Sequence, residues 1–421
     1  MDHFTYRDGV LHVEDVPLPR IAAEVGTPVY VYSQATFERH ARVFREGLAE
    51  LDRTHLAFAV KANPNLGVLK VLAREGYGAD VVSVGEMWRA IAGGIAPADI
   101  VFSGVGKRRD ELEAALDAGI GQFNIEHEAE GVALAEIAAA RGVRAPATIR
   151  VNPDVDAGTH AKISTGRKEN KFGIDIDQAP GVFARLSALP GLNLRGVATH
   201  IGSQLGRLEP LESAYVRMGQ LVADLRGAGH AISHVDLGGG LGVPYRPGDV
   251  MPTPAEFGAM VARVTRGWDV TLMFEPGRVI AGNAGVLLTE VLWVKPGAVN
   301  PYVIVDAAMN DLMRPALYDA YHDFVAVRPS GERMIANIAG PVCESGDTFG
   351  MGRDIDRVAP GDLAIFRTAG AYGATMASTY NSRALVPEVL VSGDRYAVVA
   401  DRIPPERMIA AERVPDWLQD A

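Results

Sequence analysis

Short apolar runs alternate with segments of helical period between residues 55 and 274, and this alternation limits the possible folds. The eight apolar runs lie at 55–60, 79–84, 99–103, 121–125, 146–151, 194–201, 233–237 and 270–274. Segments with apolar residues at helical spacing separate most of them, for example 64–75, 84–92, 107–118, 127–140, 209–228 and 253–266. Eight strands with intervening helices predict an α/β fold, a TIM-like (β/α)8 barrel.

The flanking sequence predicts a separate all-β domain. After about residue 285 there are strand-like runs with few helical segments between them, at 286–294, 302–306, 333–339, 362–367, 384–391 and 396–400. Residues 3–32 are also strand-like, and we expect them to join the C-terminal strands. Ser33 is expected to cap a helix that runs to about Leu51. The predicted domains are a barrel over residues 34–283 and a β-domain formed by 1–33 and 284–421.

Composition argues against several classes of protein. The net charge is −11, so a basic surface for nucleic acid is not expected. No apolar run reaches the ~18–20 residues of a membrane-spanning helix, and no export signal is visible at the start. Cys343 is the single cysteine, which predicts a cytoplasmic protein without an internal disulfide. The ten histidines are scattered, and the sequence predicts no metal site.

The stretch Phe58-Ala59-Val60-Lys61-Ala62-Asn63 reads as an apolar strand that ends in a lysine. Burial alone lowers a lysine pKa by roughly 3–5 units because the ammonium loses its hydration. Such a lysine is paired with an anion, reaches solvent with its head group, or reacts as a neutral amine that forms a Schiff base. Taken alone, the stretch favours a solvent-exposed head group.

Polar or reactive residues stand at seven of the eight predicted strand ends, where a barrel of this kind carries its active site. In chain order they are Lys61; Asp80 and Ser83; Asn124 and Glu126; Arg150 and Asn152; His200, Gly202 and Ser203; Asp236 and Gly238 to Gly240; and Glu275, Gly277 and Arg278. Chance would place one or two such residues there, so the set predicts a site.

A long polar stretch over residues 152–173 follows the fifth predicted strand and has no clear period. Its charged residues and histidine are Asp154, Asp156, His160, Lys162, Arg167 and Lys171. A long insertion of this kind after a barrel strand is more often functional or mobile than structural.

Several of these residues have simpler interpretations when each is taken alone. The run Gly238-Gly239-Gly240 lacks dinucleotide-binding spacing, and it suits either a phosphate or a plain tight turn. His200 could be a core histidine. Glu275 and Arg278 could pair with each other.

Other chemistries use only part of the set. A glycosidase with Glu126 and Glu275 as its carboxylates would leave Lys61 without a role. A serine hydrolase would need a nucleophile elbow, which the sequence lacks. Pyridoxal phosphate (PLP) catalysis uses all of the features, because it needs a lysine, a phosphate cradle, a carboxylate for the pyridine nitrogen and a group over the ring.

The sequence resembles the PLP-dependent decarboxylases of the alanine-racemase-like fold over about residues 5–415. The similarity is carried by Ala59-Val60-Lys61-Ala62-Asn63, His200-Ile201-Gly202-Ser203-Gln204, Gly238-Gly239-Gly240, Glu275-Pro276-Gly277-Arg278, Cys343-Glu344-Ser345-Gly346-Asp347 and Gly370-Ala371-Tyr372-Gly373. The segment 306–318 is most similar to the members that act on meso-2,6-diaminopimelate. Phe58, where tyrosine is common, is the one difference noted in the core motifs.

The resemblance implies a role for each matching residue. Lys61 would attach the cofactor as a Schiff base, His200 would stack on its ring, and Glu275 would pair with the pyridine nitrogen. Cys343 would donate a proton, and Glu344 would recognise the distal amino group. The other cofactor-binding residues would be Asp80, Ser203, Gly238, Gly239, Gly240, Gly277, Arg278 and Tyr372. The other substrate-binding residues would be Arg278, Arg314, Tyr318 and Tyr372.

The implied reaction is decarboxylation of meso-2,6-diaminopimelate at its D-centre to L-lysine and carbon dioxide, the last step of lysine biosynthesis. The family also implies a homodimer in which the Cys343-Glu344 segment enters the neighbouring subunit's site. Arg314 and Glu344 supply a cation and an anion for the far end of the substrate, whereas a simple diamino acid would leave the arginine unpaired.

Three alternatives remain open. A sister decarboxylase would act on lysine, ornithine or carboxynorspermidine. A racemase is disfavoured, because the motifs show no second strong base for the opposite ring face. A protein that binds PLP without catalysis would not need Arg314, Cys343 and Glu344.

Overall fold

The computed structural model describes residues 2–156 and 171–418. His160, Lys162 and Arg167 of the polar stretch lie outside the described residues. The chain forms two compact units. The strand unit contains Met1–Thr36, Tyr245–Pro247 and Asn283–Ala421, and the barrel unit contains Phe37–Pro244 and Gly248–Gly282. We keep the predicted domain limits, 34–283 and 1–33 with 284–421, as a proposal.

The N-terminal segment begins with strands, as predicted. Its elements are β1 (Phe4–Arg7), β2 (Val10–Val13), β3 (Val16–Pro17), α1 (Leu18–Val25), β4 (Val29–Ser33) and α2 (Gln34–Gly47). Strands β1 to β3 form a small antiparallel sheet. The hydroxyl of Ser33 accepts a hydrogen bond from the Thr36 N–H at 3.1 Å, which confirms the predicted cap. The helix ends at Gly47, before the predicted Leu51.

The barrel unit alternates parallel strands with helices. Its strands are β5 (Thr54–Ala59), β6 (Gly78–Val81), β7 (Ile100–Phe102), β8 (Gln122–Ile125), β9 (Ala145–Asn152), β10 (Ile174–Asp175), β11 (Leu192–Ala198), β12 (His234–Asp236) and β13 (Thr271–Phe274). Its helices are α3 (Leu66–Arg74), α4 (Val84–Ala92), α5 (Arg109–Ala118), α6 (Glu128–Ala140), α7 (Ala179–Ser187), α8 (Glu209–Gly227), α9 (Pro254–Val264) and α10 (Arg278–Ala281).

Eight of these strands close into a ring, which confirms the predicted barrel. Their order is β5, β6, β7, β8, β9, β11, β12 and β13, and β13 pairs again with β5. The short strand β10 pairs with the end of β9. Strands β6, β7 and β8 are buried along their whole length, because a parallel barrel covers both faces of its strands. Since the strands are parallel, all eight carboxyl ends lie at the same end of the barrel.

The C-terminal part of the strand unit is built mostly of strands. They are β14 (Gly285–Lys295), β15 (Tyr302–Val305), β16 (Phe324–Ala326), β17 (Arg333–Ala339), β18 (Thr348–Asp356), β19 (Leu363–Phe366), β20 (Glu388–Ser392) and β21 (Arg395–Ala400). Two short helices accompany them, α11 (Arg314–Tyr318) and α12 (Pro405–Ile409).

The N-terminal strands join this sheet, as the sequence predicted. Strand β4 lies between β14 and β20, with Tyr32 opposite Gly285 and Val31 opposite Val389. Side chains from β1 to β4 and from the C-terminal strands share one apolar core, which includes Leu11 and Ile365. The described part of the chain contains no helix long and apolar enough to cross a bilayer.

Strand β18 was not predicted from the sequence. Its residues, Thr-Phe-Gly-Met-Gly-Arg-Asp-Ile-Asp, include two glycines and three charged side chains, all of low strand propensity. The strand forms because it pairs with β17, and that pairing contains two register shifts next to Ile338. Pairing with a distant strand has overridden the local preference here.

The crossing of α2 and α9 gives a test of packing in the barrel unit. A Cβ atom added at Gly258 would overlap the carbonyl oxygen of Gly47. We therefore expect Gly258→Ala to lower the free energy of unfolding by about 1–3 kcal/mol, measured by urea denaturation. The matched control is Gly227→Ala at the end of α8, where no atom lies within 4 Å of the added Cβ. Equal stability of the two variants would contradict the packing argument.

Candidate active site

A cavity of about 300 Å³ opens at the carboxyl ends of the barrel strands. Most of its lining residues stand at or just beyond a strand end: Lys61, Val82, Ser103, Gly104, Asn124, Arg150, Phe172, Ala198, Thr199, His200, Asp236 and Glu275. The cavity therefore collects residues that are far apart in the sequence, as the strand-end pattern predicted.

Lys61 lies in a single turn of 3-10 helix, Val60–Ala62, directly after β5. Its Nζ atom is 2.5 Å from Oδ2 of Asp80 on β6, which is fully buried, while the lysine side chain is 36% exposed. Strand pairing places Asp80 opposite Ala59, two residues before the lysine. Of the alternatives considered for this lysine, the structure shows the charge-paired one, with the head group also open to the cavity.

The buried carboxylate of Asp80 is only half satisfied by protein groups. Its second oxygen, Oδ1, is buried and has no hydrogen-bond partner. A buried acceptor without a partner costs about 1–3 kcal/mol. A bound molecule with a donor or a positive charge at this position would offset that cost.

Glu275 and Asp236 form a second acidic group on the neighbouring strand ends. They share a hydrogen bond, and Nδ2 of Asn124 donates to Asp236 at 3.0 Å and to Glu275 at 3.4 Å. Burial, followed by the carboxylates of Asp236 and Asp80, raises the pKa of Glu275 well above its ordinary value. Burial also raises the pKa of Asp236. Both shifts favour the protonated form of this pair of carboxyl groups.

His200 presents a neutral ring to the cavity. The Gly239 N–H donates to its Nδ1 at 3.2 Å, so the ring proton lies on Nε2. Burial, reinforced by the nearby charges of Arg150 and Lys61, lowers the His200 pKa well below its ordinary value. Its backbone is also held, because Arg150 donates to the His200 carbonyl oxygen at 3.4 Å. The sequence left open a plain core histidine, whereas the structure places this one in the cavity wall.

The loops after β11 and β12 are joined through backbone contacts. Leu205 N–H donates to the Gly240 carbonyl at 2.9 Å, and Gly242 N–H donates back to the Leu205 carbonyl at 3.0 Å. Gly238 has φ +67°, and a Cβ atom there would lie 2.5 Å from the Thr199 carbonyl oxygen. Glycine is required at this position both by backbone conformation and by the close approach of the two loops.

Arg278 supplies a cation beside these loops. It begins α10 directly after Gly277, and its Nη2 and Nε atoms lie 3.1 and 3.3 Å from the hydroxyl oxygen of Ser203. The guanidinium donates to that hydroxyl. A buried guanidinium and a hydroxyl beside the glycine loop are donors suited to an anion such as a phosphate.

The predicted catalytic and substrate-binding residues of the strand unit lie at three places in the chain. Cys343 and Glu344 are exposed neighbours; the Cys343 N–H donates to Asn381 Oδ1 at 3.3 Å, and the Tyr380 hydroxyl donates to Glu344 at 2.8 Å. Arg314 and Tyr318 stand at opposite ends of α11. Tyr372 adopts a left-handed backbone conformation, with φ +56°. Asn381 is also left-handed, with φ +58°.

Two residues that line the cavity, Ser103 and Thr199, were not singled out from the sequence. Ser103 fills the one strand end that the sequence analysis left empty, and its hydroxyl accepts from Asn124 at 3.1 Å. Thr199 precedes His200 and lines the cavity with a buried hydroxyl that lacks a partner. A serine or threonine at a strand end carries little signal, because both residues are common in loops and caps.

Two buried ion pairs lie next to the residues that line the cavity. Glu126 accepts from Arg150 at 2.7 Å and from the backbone N–H groups of Gly104 and Gly173 at 3.0 and 2.9 Å. Lys107 and Glu130 form the other pair, at 2.6 Å, with side chains only 1% and 3% exposed. The first pair joins the loop after β8 to strand β9, and the second joins the loop after β7 to the first turn of α6, so both link neighbouring parts of the cavity wall.

His230 and His234 are four residues apart, a spacing that also occurs in metal sites, but the two side chains contact different residues. The His230 ring packs on Phe183 with centroids 5.0 Å apart, and His234 Nδ1 contacts the Ser233 hydroxyl at 2.9 Å. Among residues 2–156 and 171–418, no group of three or more possible ligands could hold a metal ion.

The proton held by Glu275 gives a pH prediction. Its pKa is raised on folding, so the stabilising protonated form is complete below about pH 4.3 and is lost as pH rises through the raised pKa. In protein freed of cofactor, we expect Glu275→Gln to remove part of the fall in unfolding free energy between about pH 5 and 8, measured by urea denaturation. Glu50→Gln, at an exposed carboxylate, is the control and should keep the wild-type slope. A Glu275→Gln slope equal to wild type would contradict the assignment.

Comparison with known proteins agrees with this geometry. Residues 34–282 match the family described as "Pyridoxal-dependent decarboxylase, pyridoxal binding domain". The chain is 50% identical to diaminopimelate decarboxylase of Zymomonas mobilis over 99% of both chains. It is also 50% identical to the Pseudomonas aeruginosa enzyme, over 98% of this chain and 99% of that one.

Solved structures show the same similarity. The diaminopimelate decarboxylase of Helicobacter pylori complexed with L-lysine aligns with a TM-score of 0.90 at 37% identity, covering 93% of this chain and 98% of that one. The M. jannaschii enzyme in complex with L-lysine aligns with a TM-score of 0.93 at 35% identity, covering 99% of both chains. The chain therefore belongs to the diaminopimelate decarboxylase family of pyridoxal-dependent decarboxylases.

Proposed function

We propose that this protein decarboxylates meso-2,6-diaminopimelate to L-lysine and carbon dioxide, the last step of lysine biosynthesis, with PLP as cofactor. The observation that carries the proposal is the Lys61 ammonium, which is paired with buried Asp80 at a barrel-mouth cavity. The same cavity contains His200, whose pKa is lowered by burial, and Glu275, whose pKa is raised by burial. Relatives and solved structures named diaminopimelate decarboxylase match nearly the whole chain.

The residues of the barrel unit fit PLP by their chemistry. The donors beside Ser203 suit its phosphate, and the unsatisfied Asp80 Oδ1 suits a positively charged or donating group. We propose that Lys61 binds the cofactor covalently and that Glu275 faces its ring nitrogen. The other holding residues would be Asp80, His200, Ser203, Gly238, Gly239, Gly240, Gly277, Arg278 and Tyr372. When bound, PLP takes up the electron pair that remains on the substrate after the carboxylate leaves.

The protein's own groups supply protons and electrostatics. Glu275 and Asp236 hold a proton at a carboxyl oxygen inside the cavity, where it can be shared with a basic ring nitrogen. His200 stays neutral, so its flat ring can cover an aromatic ligand without adding charge. Lys61 would hold the cofactor through its amine, and Asp80 beside it would compensate the positive charge of that amine whenever it is free. Cys343 is proposed to return a proton to the substrate carbon through its thiol.

Substrate choice would come from the strand unit. Arg314 and Glu344 offer opposite charges for the carboxylate and ammonium at the far end of diaminopimelate, and Arg278, Tyr318 and Tyr372 would complete the shell. Tyr380 already donates to the Glu344 carboxylate at 2.8 Å, which orients it. A substrate without the second carboxylate would leave a charged group unpaired, and this costs several kcal/mol when the group is buried.

We further propose a cytoplasmic homodimer in which Cys343 and Glu344 of one subunit serve the barrel site of the other. The family resemblance supports this arrangement. The exposure of Cys343 and Glu344 on the strand unit is consistent with a role at a subunit contact.

Substrate preference tests the proposed reaction. We expect carbon dioxide release to be fastest with meso-2,6-diaminopimelate, with kcat/KM at least about 100-fold below that value for lysine and ornithine. Cys343→Ala should lower kcat by about 10²–10⁴-fold while PLP absorbance is kept. A preference for lysine or ornithine would reject the assigned substrate, and full turnover by Cys343→Ala would reject the proton donor.

Complementation tests the shared site. Lys61→Ala and Cys343→Ala should each be nearly inactive, but subunits mixed and exchanged at equal ratio should recover about a quarter of wild-type activity, because each mixed dimer has one intact site. The control mixes Lys61→Ala with the double variant Lys61→Ala/Cys343→Ala, which has no intact lysine. Activity no higher than in this control would show that each subunit completes its own site.

A further inference from the structure

Arg314 is held by a buried histidine of its own unit. Its Nη1 atom lies 2.9 Å from Nε2 of His322, which is 2% exposed. The other ring nitrogen of His322, Nδ1, lies 2.9 Å from the backbone carbonyl oxygen of Arg367. The imidazole therefore bridges a guanidinium on α11 and the backbone just after β19.

These two contacts fix the proton on the imidazole. A carbonyl oxygen only accepts, so Nδ1 of His322 must carry the hydrogen and donate to Arg367. A guanidinium only donates, so Nε2 must offer its lone pair to Arg314. His322 is accordingly neutral and in one tautomer, and a second proton on Nε2 would face the Arg314 N–H directly.

Tyr245 contributes a second contact to the same guanidinium. The central carbon of the Arg314 guanidinium lies 4.8 Å from the Tyr245 ring centroid, within the range of a cation–π interaction. The Tyr245 ring also meets His322 edge to face, with centroids 5.4 Å apart and an interplanar angle of 87°. The three side chains therefore restrain one another.

We propose that His322 and Tyr245 are positioning residues that fix Arg314 for the substrate carboxylate that is kept in the product. This inference rests on the proposed function, in which Arg314 binds that carboxylate. Both contacts restrict a long, flexible side chain before the substrate arrives, which reduces the entropy lost on binding.

The chemistry of the partners supports an anion-binding role. One other buried arginine of the chain, Arg150, meets a carboxylate, that of Glu126 at 2.7 Å. At the His322 contact, by contrast, Arg314 meets a neutral acceptor, and at Tyr245 it meets a neutral ring. Because both partners are uncharged, these two contacts orient the guanidinium without neutralising it.

Ligand pairs that differ only in the carboxylate test the proposal. L-Lysine keeps the carboxylate assigned to Arg314, and cadaverine is the same chain without it. In the PLP-loaded enzyme, we expect His322→Leu to weaken L-lysine binding about tenfold and to raise KM for meso-2,6-diaminopimelate similarly, with cadaverine binding changed less than about twofold. His322→Gln retains an acceptor within reach of Arg314 and should bind L-lysine within about threefold of wild type.

Tyr245 provides an independent pair of variants, because it is only half-buried and tolerates substitution better than His322. Tyr245→Leu should weaken L-lysine binding by about three- to fivefold, whereas Tyr245→Phe keeps the ring and should bind like wild type. Titration calorimetry measures both ligands, and thermal unfolding and PLP absorbance identify any variant that has lost its fold.

The outcomes distinguish a failure of the positioning role from a failure of the proposed function. If wild type binds L-lysine more tightly than cadaverine but His322→Leu and Tyr245→Leu keep that difference, the positioning role is wrong and the proposed function stands. Equal weakening of both ligands would likewise overturn the positioning role. If the wild-type enzyme neither decarboxylates meso-2,6-diaminopimelate nor distinguishes the two ligands, the proposed function fails and this inference fails with it.

Discussion

The contact between Lys61 and Asp80 is the interaction on which the rest of the site depends. A lysine at the end of a buried strand is tolerated only if its charge is compensated, and the next strand supplies a fully buried carboxylate 2.5 Å away. That carboxylate in turn helps to raise the pKa of Glu275, which follows β13 on the other side of β5, so the charge states of separate strand ends depend on one another. The cavity is therefore an electrostatic unit in which single residues cannot be considered separately.

Much of the fold and part of the site could be predicted from the sequence. The eight apolar runs predicted the barrel, because parallel strands covered on both faces are continuously apolar. Lys61, Asp80, His200 and Glu275 were found because the carboxyl ends of such strands converge. The structure brings Lys61, His200 and Glu275 to one cavity, with Asp80 buried beside Lys61. Periodicity together with topology was sufficient for this group.

The supporting residues could not be predicted, because their roles depend on distant partners. Lys107 and Glu130 look like ordinary charged residues at helix starts, yet they form an ion pair that is almost completely buried. His322 and Tyr245 are 77 residues apart, and only the folded structure shows that both contact Arg314. Strand β18 was missed for the same reason, since its partner and not its composition determines its conformation.

The register of the barrel strands has a consequence for how this enzyme can vary. Cavity residues such as Asn124, Arg150 and Asp236 lie on the strands themselves, and each points inward because alternate residues of a strand face opposite sides. A one-residue deletion within β9 would turn Arg150 away from Glu126 and from the cavity. Length changes in the connections at the other end of the barrel leave that register intact. The number of residues within each strand is therefore the part of the barrel sequence least able to change.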